Sequence, residues 1–303
     1  MAFLSRWWQF LRERHDPIGI SLMVLAFFSA NAALTYDPAR TPPTPDSLSL
    51  FGGFVLIWFL FLHMRLFDEV KDYQFDREHN PERPLARGLI SLGEFGTITL
   101  LVIISELVLA AHLGWGTFCS FAFTLCFTLL MRQEFFIGDW MRPKLELYAI
   151  THTFSASLMG LTIFSIMTGK VPVMIEYPSL LFALSNWFIF NVFEFGRKTF
   201  GREEEREGVD SYSARLYPWG AVVLLLINLV AGYGLMMTAC QQRFGSFPLS
   251  VATPTAIISG IVIFSGLYYS FTPSRFGAKM YRGAVTFFLL AYHVAIGVGV
   301  WMR

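Results

Sequence analysis

The sequence predicts an all-α polytopic membrane protein, with about nine transmembrane helices in one bundle around a central pocket. Three observations predict it. The 303 residues are 54% hydrophobic and 15% charged, with 32 Phe, whereas a soluble domain carries about 25% charged residues. Apolar runs approaching the ~20 residues that a bilayer helix needs recur along the whole chain. The basic residues gather on alternate loops, as they do when successive helices cross a membrane.

The elements follow in order. Residues 1–15 lack the small-residue cleavage site of a signal peptide, and Trp7, Trp8, Arg12 and Arg14 suit a helix lying in the membrane interface. Spans are expected at 18–34, 48–67, 92–112, 114–131, 145–168, 180–193, 217–237, 248–271 and 281–302. Only Leu113 separates the third from the fourth, which demands a tight turn. The sixth is short, so it should run on through Glu194 or begin earlier. No polar stretch is long enough to hold a second domain, and 1–303 reads as one unit. Cys119, Cys126 and Cys240 are scattered, odd in number and without metal-site spacing, and read as packing residues.

The N-terminus and every second loop after it (1–17, 65–91, 132–144, 197–217 and 272–282) hold 19 of the 23 Lys and Arg. The other side holds Arg40, Lys170, Arg243 and Arg303. This asymmetry predicts a cytoplasmic N-terminus, a C-terminus on the opposite side and an odd number of helices.

Acids gather where the bases do. Loops 65–91 and 194–217, both on the predicted cytoplasmic side, carry 12 of the 22 Asp and Glu. In DEVKDYQFD, Asp68, Asp72 and Asp76 recur every four residues, which stacks three carboxylates on one helix face. Like charges at a helix C-terminus repel one another and the macrodipole, so a cation is expected among them. Oxygen-only ligands suggest Mg²⁺ carrying a phosphorylated substrate, with Arg and Lys on the remaining phosphate oxygens. At the end of the sixth span, Asn191, Glu194, Arg197 and Lys198 follow helical spacing. Glu194 and Lys198 read either as an i,i+4 salt bridge or as a second metal and phosphate site. Loop 197–217 reads equally well as a solvated, topology-setting segment, and its GVDSYS as a turn offering N–H groups to an anion. Lys144 in MRPK adds a further phosphate contact or serves topology alone. Within the spans, Asn31, Glu106, His152, Asn186 and His293 are candidates for acceptor contacts or for helix–helix hydrogen bonds.

The run DEVKDYQFDREHNPERPLARGLIS resembles the first signature of UbiA-type intramembrane prenyltransferases, Asn-Asp-x-x-Asp-x-x-x-Asp followed by Arg-Pro-Leu-x-x-Gly. Asp68 stands at the Asn position, with Glu69, Asp72 and Asp76 at the three Asp positions and Arg83, Pro84, Leu85 and Gly88 at the tail. HDPIG at 15–19 is similar to that family's approach to the first helix, and the family's nine-helix bundle agrees with the span count. The second signature departs. Glu194 stands at its first acid, the middle Asp position falls near Gly201, and Glu204 or Glu205 covers the last. Gly208 and Ser211 fit its end with a one-residue gap.

The resemblance implies Mg²⁺-dependent transfer of an isoprenoid from a prenyl diphosphate to a lipophilic acceptor, through an allylic carbocation. It implies Glu69, Asp72 and Asp76 as catalytic acids. The metal set is Asp68, Glu69, Asp72, Asp76, Glu194, Glu204 and Glu205, and the diphosphate set Arg83, Lys144, Arg197 and Lys198. The partners are these two substrates and membrane lipid; nothing points to nucleic acid, and no residue pattern sets an oligomeric state. Two other readings stand beside this one. An intramembrane terpene cyclase would use the same site, and a cation or lipid transporter or a non-catalytic membrane protein would use the acids differently. Carriers usually place such sites near the midplane rather than at one face.

Overall fold

The structure, a computed structural model, describes residues 2–35, 45–206 and 208–303; Arg40 and Glu207 lie outside them. A short helix α1 (Phe3–Arg14) lies along the bundle. Its Trp7 and Phe10 rings pack on Phe95 with centroids 5.6 and 5.4 Å apart, and Arg6 pairs with Glu94 at 2.9 Å. Phe3, Leu4 and Trp8 face outward, as an interfacial helix requires.

Nine spans follow among the described residues, each long and apolar enough to cross a membrane. They are α2 (Pro17–Thr35), α3 (Ser47–Lys71), α5 (Leu92–His112), α6 (Trp115–Arg132), the pair α8 (Leu145–Thr153) and α9 (Ser155–Thr168), α10 (Tyr177–Arg197), α11 (Tyr212–Phe244), α12 (Leu249–Phe271) and α13 (Arg275–Trp301). Short helices α4 (Tyr73–His79) and α7 (Gly138–Met141) lie in the connections after α3 and α6. Side chains at Asp46, Ser91, Ser211 and Ser274 accept the first free N–H groups of α3, α5, α11 and α13.

The sixth span extends at both ends, from Tyr177 to Arg197, as its shortness required. Two expectations shift. The fifth breaks at Phe154, without Pro or Gly, because side chains compete for its carbonyls. Thr153 Oγ1 donates to Ala149 O at 2.9 Å, Ser155 Oγ to His152 O at 2.9 Å, and Trp187 Nε1 to Ile150 O at 2.7 Å. The seventh begins at Tyr212, with a break at Tyr217 before Pro218.

Helix α10 runs through the middle, packed on α2, α9, α11 and α13. Polar pairs fix its neighbours. Asn186 Nδ2 donates to Asn31 Oδ1 on α2 at 2.8 Å, Asn191 Nδ2 to Asn228 Oδ1 on α11 at 3.0 Å, and Ser185 to Gly232 O at 2.7 Å. Lipid offers helices little hydrophobic drive to associate, so such bonds and close packing hold them together.

Candidate diphosphate and metal site

The DEVKDYQFD segment ends one helix and begins another. Asp72, at φ −86° and ψ 1°, closes α3 and opens α4. The i→i−4 bonds continue through it, with Asp72 N on Asp68 O at 2.9 Å and Asp76 N on Asp72 O at 2.8 Å. The three acids therefore keep their register, but Asp72 and Asp76 now sit at a helix N-terminus, where negative charge is favourable. That removes part of the repulsion expected from one uninterrupted helix.

Their surroundings separate them. Asp76 is buried, and both its oxygens meet Arg83 Nη1, at 2.6 and 2.7 Å, with Asn80 Nδ2 at 3.0 Å. Arg83 is thus engaged by the motif's own acid. Gly88, at φ +75°, closes this turn in a conformation that L side chains rarely adopt. Glu69 is buried, and its Oε1 accepts from Arg14 Nε of α1 at 2.6 Å, while Oε2 is buried without a partner in the structure. Asp68 remains 49% exposed at its side chain, with Lys71 Nζ at 3.5 Å. Lys71 also donates to Tyr148 OH on α8 at 2.7 Å, tying the end of α3 to α8. The Asp72 carboxyl is pushed above the usual carboxylate range by burial, against the pull of Lys71 and with the neighbouring Asp68 and Asp76 adding to the push.

At the end of α10, Glu194 pairs with Arg197 at 2.6 Å and with Lys198 at 3.2 Å, the expected i,i+4 bridge. The connection between α6 and α8 brings Lys144 near this end. Three successive residues there, Glu134, Phe135 and Phe136, take positive φ, and Glu134 clamps Arg142 at 2.8 Å. Arg215 of α11 reaches back to Glu146 at 3.0 Å and to Pro143 O at 2.6 Å. Lys144 itself folds over the Trp140 ring, 3.3 Å from its centroid.

Glu204 and Glu205 are held elsewhere. Glu204 meets Arg282 of α13 through two bonds of 2.8 and 2.7 Å, which hold its carboxyl below the usual range. Glu205 accepts from Ser211 at 2.7 Å and Ser213 at 2.6 Å, and Ser211 caps α11. The GVDSYS turn therefore has both serine hydroxyls engaged at the foot of α11. At Gly201, a Cβ would stand 2.5 Å from Arg275 N and 2.6 Å from the Ser274 carbonyl. No side chain fits there, so the acid that the second signature expects near this position has no room.

The intramembrane polar candidates are placed too. Asn31 and Asn186 bond each other. Glu106 pairs with His63 Nδ1 at 2.8 Å, and His63 Nε2 meets Thr128 Oγ1 at 3.0 Å, all three buried. His152 Nδ1 donates to Tyr148 O and His293 Nδ1 to Leu289 O, each at 2.7 Å. His293 lies among the rings of Phe27, Phe190 and Tyr292. Sequence reasoning missed Arg14, Lys71 and Tyr148. Lys71 was visible inside DEVKD; the reach of Arg14 to Glu69 and of Tyr148 to Lys71 depends on packing between distant helices.

Among the described residues, no three His, Cys, Asp or Glu side chains converge into a ready metal cage. Mg²⁺ does not require one, because it commonly takes one or two carboxylates, water and substrate phosphates. Asp68 and Asp72 stand four residues apart on one helical register at this end, and the buried Glu69 Oε2 has no partner in the structure.

No family model matches the sequence, and no curated protein matches it. Two solved structures share the fold. A digeranylgeranylglyceryl phosphate synthase superposes with a TM-score of 0.64 at 16% identity, over 99% of this chain and 100% of that one. A UbiA homolog from Aeropyrum pernix K1 superposes with a TM-score of 0.61 at 17% identity, over 93% and 97%. The likeness establishes a UbiA-type bundle along essentially the full chain, and leaves the chemistry to the residues.

Proposed function

We propose that the chain is a Mg²⁺-dependent intramembrane prenyltransferase, moving an isoprenoid from a prenyl diphosphate to a lipophilic or membrane-associated acceptor. The observation that carries this reading is the acid register at the end of α3, with Asp68 half exposed and Asp72 four residues on, in a UbiA-type bundle. Asp68 and Asp72, with Glu69 Oε2, would hold Mg²⁺, which when bound supplies positive charge against the departing diphosphate. Lys71, Arg197 and Lys198 stand at the same end and donate charge-assisted hydrogen bonds to phosphate oxygens. Asp76 and Arg83 brace the connection that follows α3.

Below this end the bundle turns aromatic. Phe61 stacks on Phe190 at 6.4 Å and Phe27 meets Phe190 at 5.5 Å. Such rings keep water, the competing nucleophile, from the reacting carbon. Their faces favour a cation by ~0.5–2 kcal/mol each. The prenyl carbon–oxygen bond breaks with both electrons leaving on the diphosphate. The acceptor forms the new bond and gives up a proton.

The test uses the purified protein in lipid nanodiscs with geranylgeranyl diphosphate, Mg²⁺ and two acceptors, a phenolic acid and a glycerol phosphate ether. Acceptor-dependent release of diphosphate, stopped by a chelator and by Asp72→Asn, is expected. Release without acceptor, together with a cyclic hydrocarbon, would replace transfer by cyclisation.

A further inference from the structure

Arg65 is a half-buried cation of the bundle end that no side chain among the described residues answers. It stands in α3, part-buried, three residues before Asp68. That places it about 4.5 Å of helix rise deeper in the membrane. It makes no hydrogen bond or ion pair among the described residues. An arginine inside a span is costly unless it faces a cavity and meets an anion.

Its neighbours make the imbalance specific. Arg14 of α1 and Arg197 of α10 lie within electrostatic reach, together with Asp68 and Glu69. Three arginines thus approach from three helices. Arg14 is answered by Glu69 and Arg197 by Glu194, each at 2.6 Å. Asp68 leans on Lys71 instead. One positive charge is left over on the inner side of Asp68.

We propose that Arg65 binds the diphosphate of the prenyl donor, on the phosphate attached to the prenyl carbon; this rests on the prenyl-transfer reading above. The isoprenoid must lie in the aromatic interior, where Phe61 stands one further turn down α3 from Arg65. The terminal phosphate then faces Asp68, Asp72 and Lys198 at the bundle end. A guanidinium one turn deeper than Asp68 meets the oxygen that joins phosphorus to carbon. When that bond breaks, both electrons stay on this oxygen, and the Arg65 N–H groups donate to it without giving up a proton. The charge is therefore placed where it develops. The planar fork also suits phosphate better than an ammonium does.

The experiment measures binding of geranylgeranyl thiolodiphosphate, which resists ionisation, with Mn²⁺ in place of Mg²⁺. It compares the wild type with Arg65→Met and Arg65→Lys in nanodiscs. Arg65→Met should weaken thiolodiphosphate binding at least tenfold, and Arg65→Lys should recover part of the loss. The ligand-free melting temperature of Arg65→Met should be no lower than that of the wild type, because no side chain among the described residues pairs with Arg65. Unchanged thiolodiphosphate affinity in Arg65→Met overturns the proposal. So does a loss confined to an anionic acceptor such as 4-hydroxybenzoate, or a drop in ligand-free melting temperature that Arg65→Lys restores. A wild-type protein that fails to bind the thiolodiphosphate defeats the prenyl-transfer reading itself, and Arg65 with it.

Discussion

Asp68 and Asp76 belong to one motif, yet their neighbours give them different work. Asp76 is locked to Arg83 through both oxygens, whereas Asp68 is half open with a single lysine at 3.5 Å. Removing one partner of a close, largely buried pair leaves the other charge uncompensated. Asp76→Asn should therefore destabilise the protein by about 2 kcal/mol, less than a fully buried pair because Arg83 is 29% exposed. Thermal unfolding in detergent reads this loss. Asp68→Asn should leave the melting temperature nearly unchanged and weaken Mn²⁺-dependent diphosphate binding at least tenfold. If Asp76→Asn kept full stability and lost the metal, the two roles would have to be exchanged. Glu204→Gln offers a further contrast. It should reduce stability by about 1 kcal/mol by weakening the bond to Arg282, with diphosphate binding intact.

Elements meet at joints, and two joints carry measurable consequences. His15 lies buried where α1 turns into α2, edge-on to Trp58 at 5.2 Å. Burial, with Arg65 nearby, pushes its imidazole down from 6.5 to about 4. Between those values the unfolded chain binds the extra proton and the folded one does not. Stability is therefore complete above pH 6.5 and declines as the pH falls toward 4, by up to about 3 kcal/mol. Melting temperatures across this range should fall for the wild type and stay flatter for His15→Phe; parallel curves would remove His15 as the cause. The second joint is Tyr217, which breaks α11 at φ 60° and ψ 164°. That region is essentially reserved for glycine and costs other residues about 1–3 kcal/mol. Tyr217 is 77% exposed, so little packing is lost with its ring. Tyr217→Gly should raise the melting temperature, and a lower value would show that the ring anchors the helix more than the backbone strains it.

The molecule as a whole was legible in its apolar runs because a bilayer helix must be continuous in composition and in length. The runs at 92–112 and 145–168 matched the helices to the residue. The break at Phe154 was hidden, since it comes from Thr153, Ser155 and Trp187 bonding carbonyls rather than from a helix-breaking residue. The acid motif was legible by its spacing. What was not legible was which acids stay open, because Arg14 and Arg282 reach Glu69 and Glu204 from 55 and 78 residues away in sequence. Loop charge still predicts sidedness. With an odd number of spans, reversing the bundle would put all five basic-rich segments on the non-cytoplasmic side, against the rule that keeps Lys and Arg inside. Gln74 in α4 and Val173 between α9 and α10 are exposed on opposite ends of the bundle, on segments separated by three spans. In a background with Cys119, Cys126 and Cys240 replaced by Ala, Val173→Cys in sealed right-side-out vesicles should react with a membrane-impermeant maleimide. Gln74→Cys should react only after the vesicles are opened. The acid pair at the end of α3 would then face the cytoplasm, where a water-soluble diphosphate headgroup can enter while its chain stays in lipid. The reverse labelling would place that mouth on the opposite side, and the prenyl donor would have to cross the membrane before it could bind.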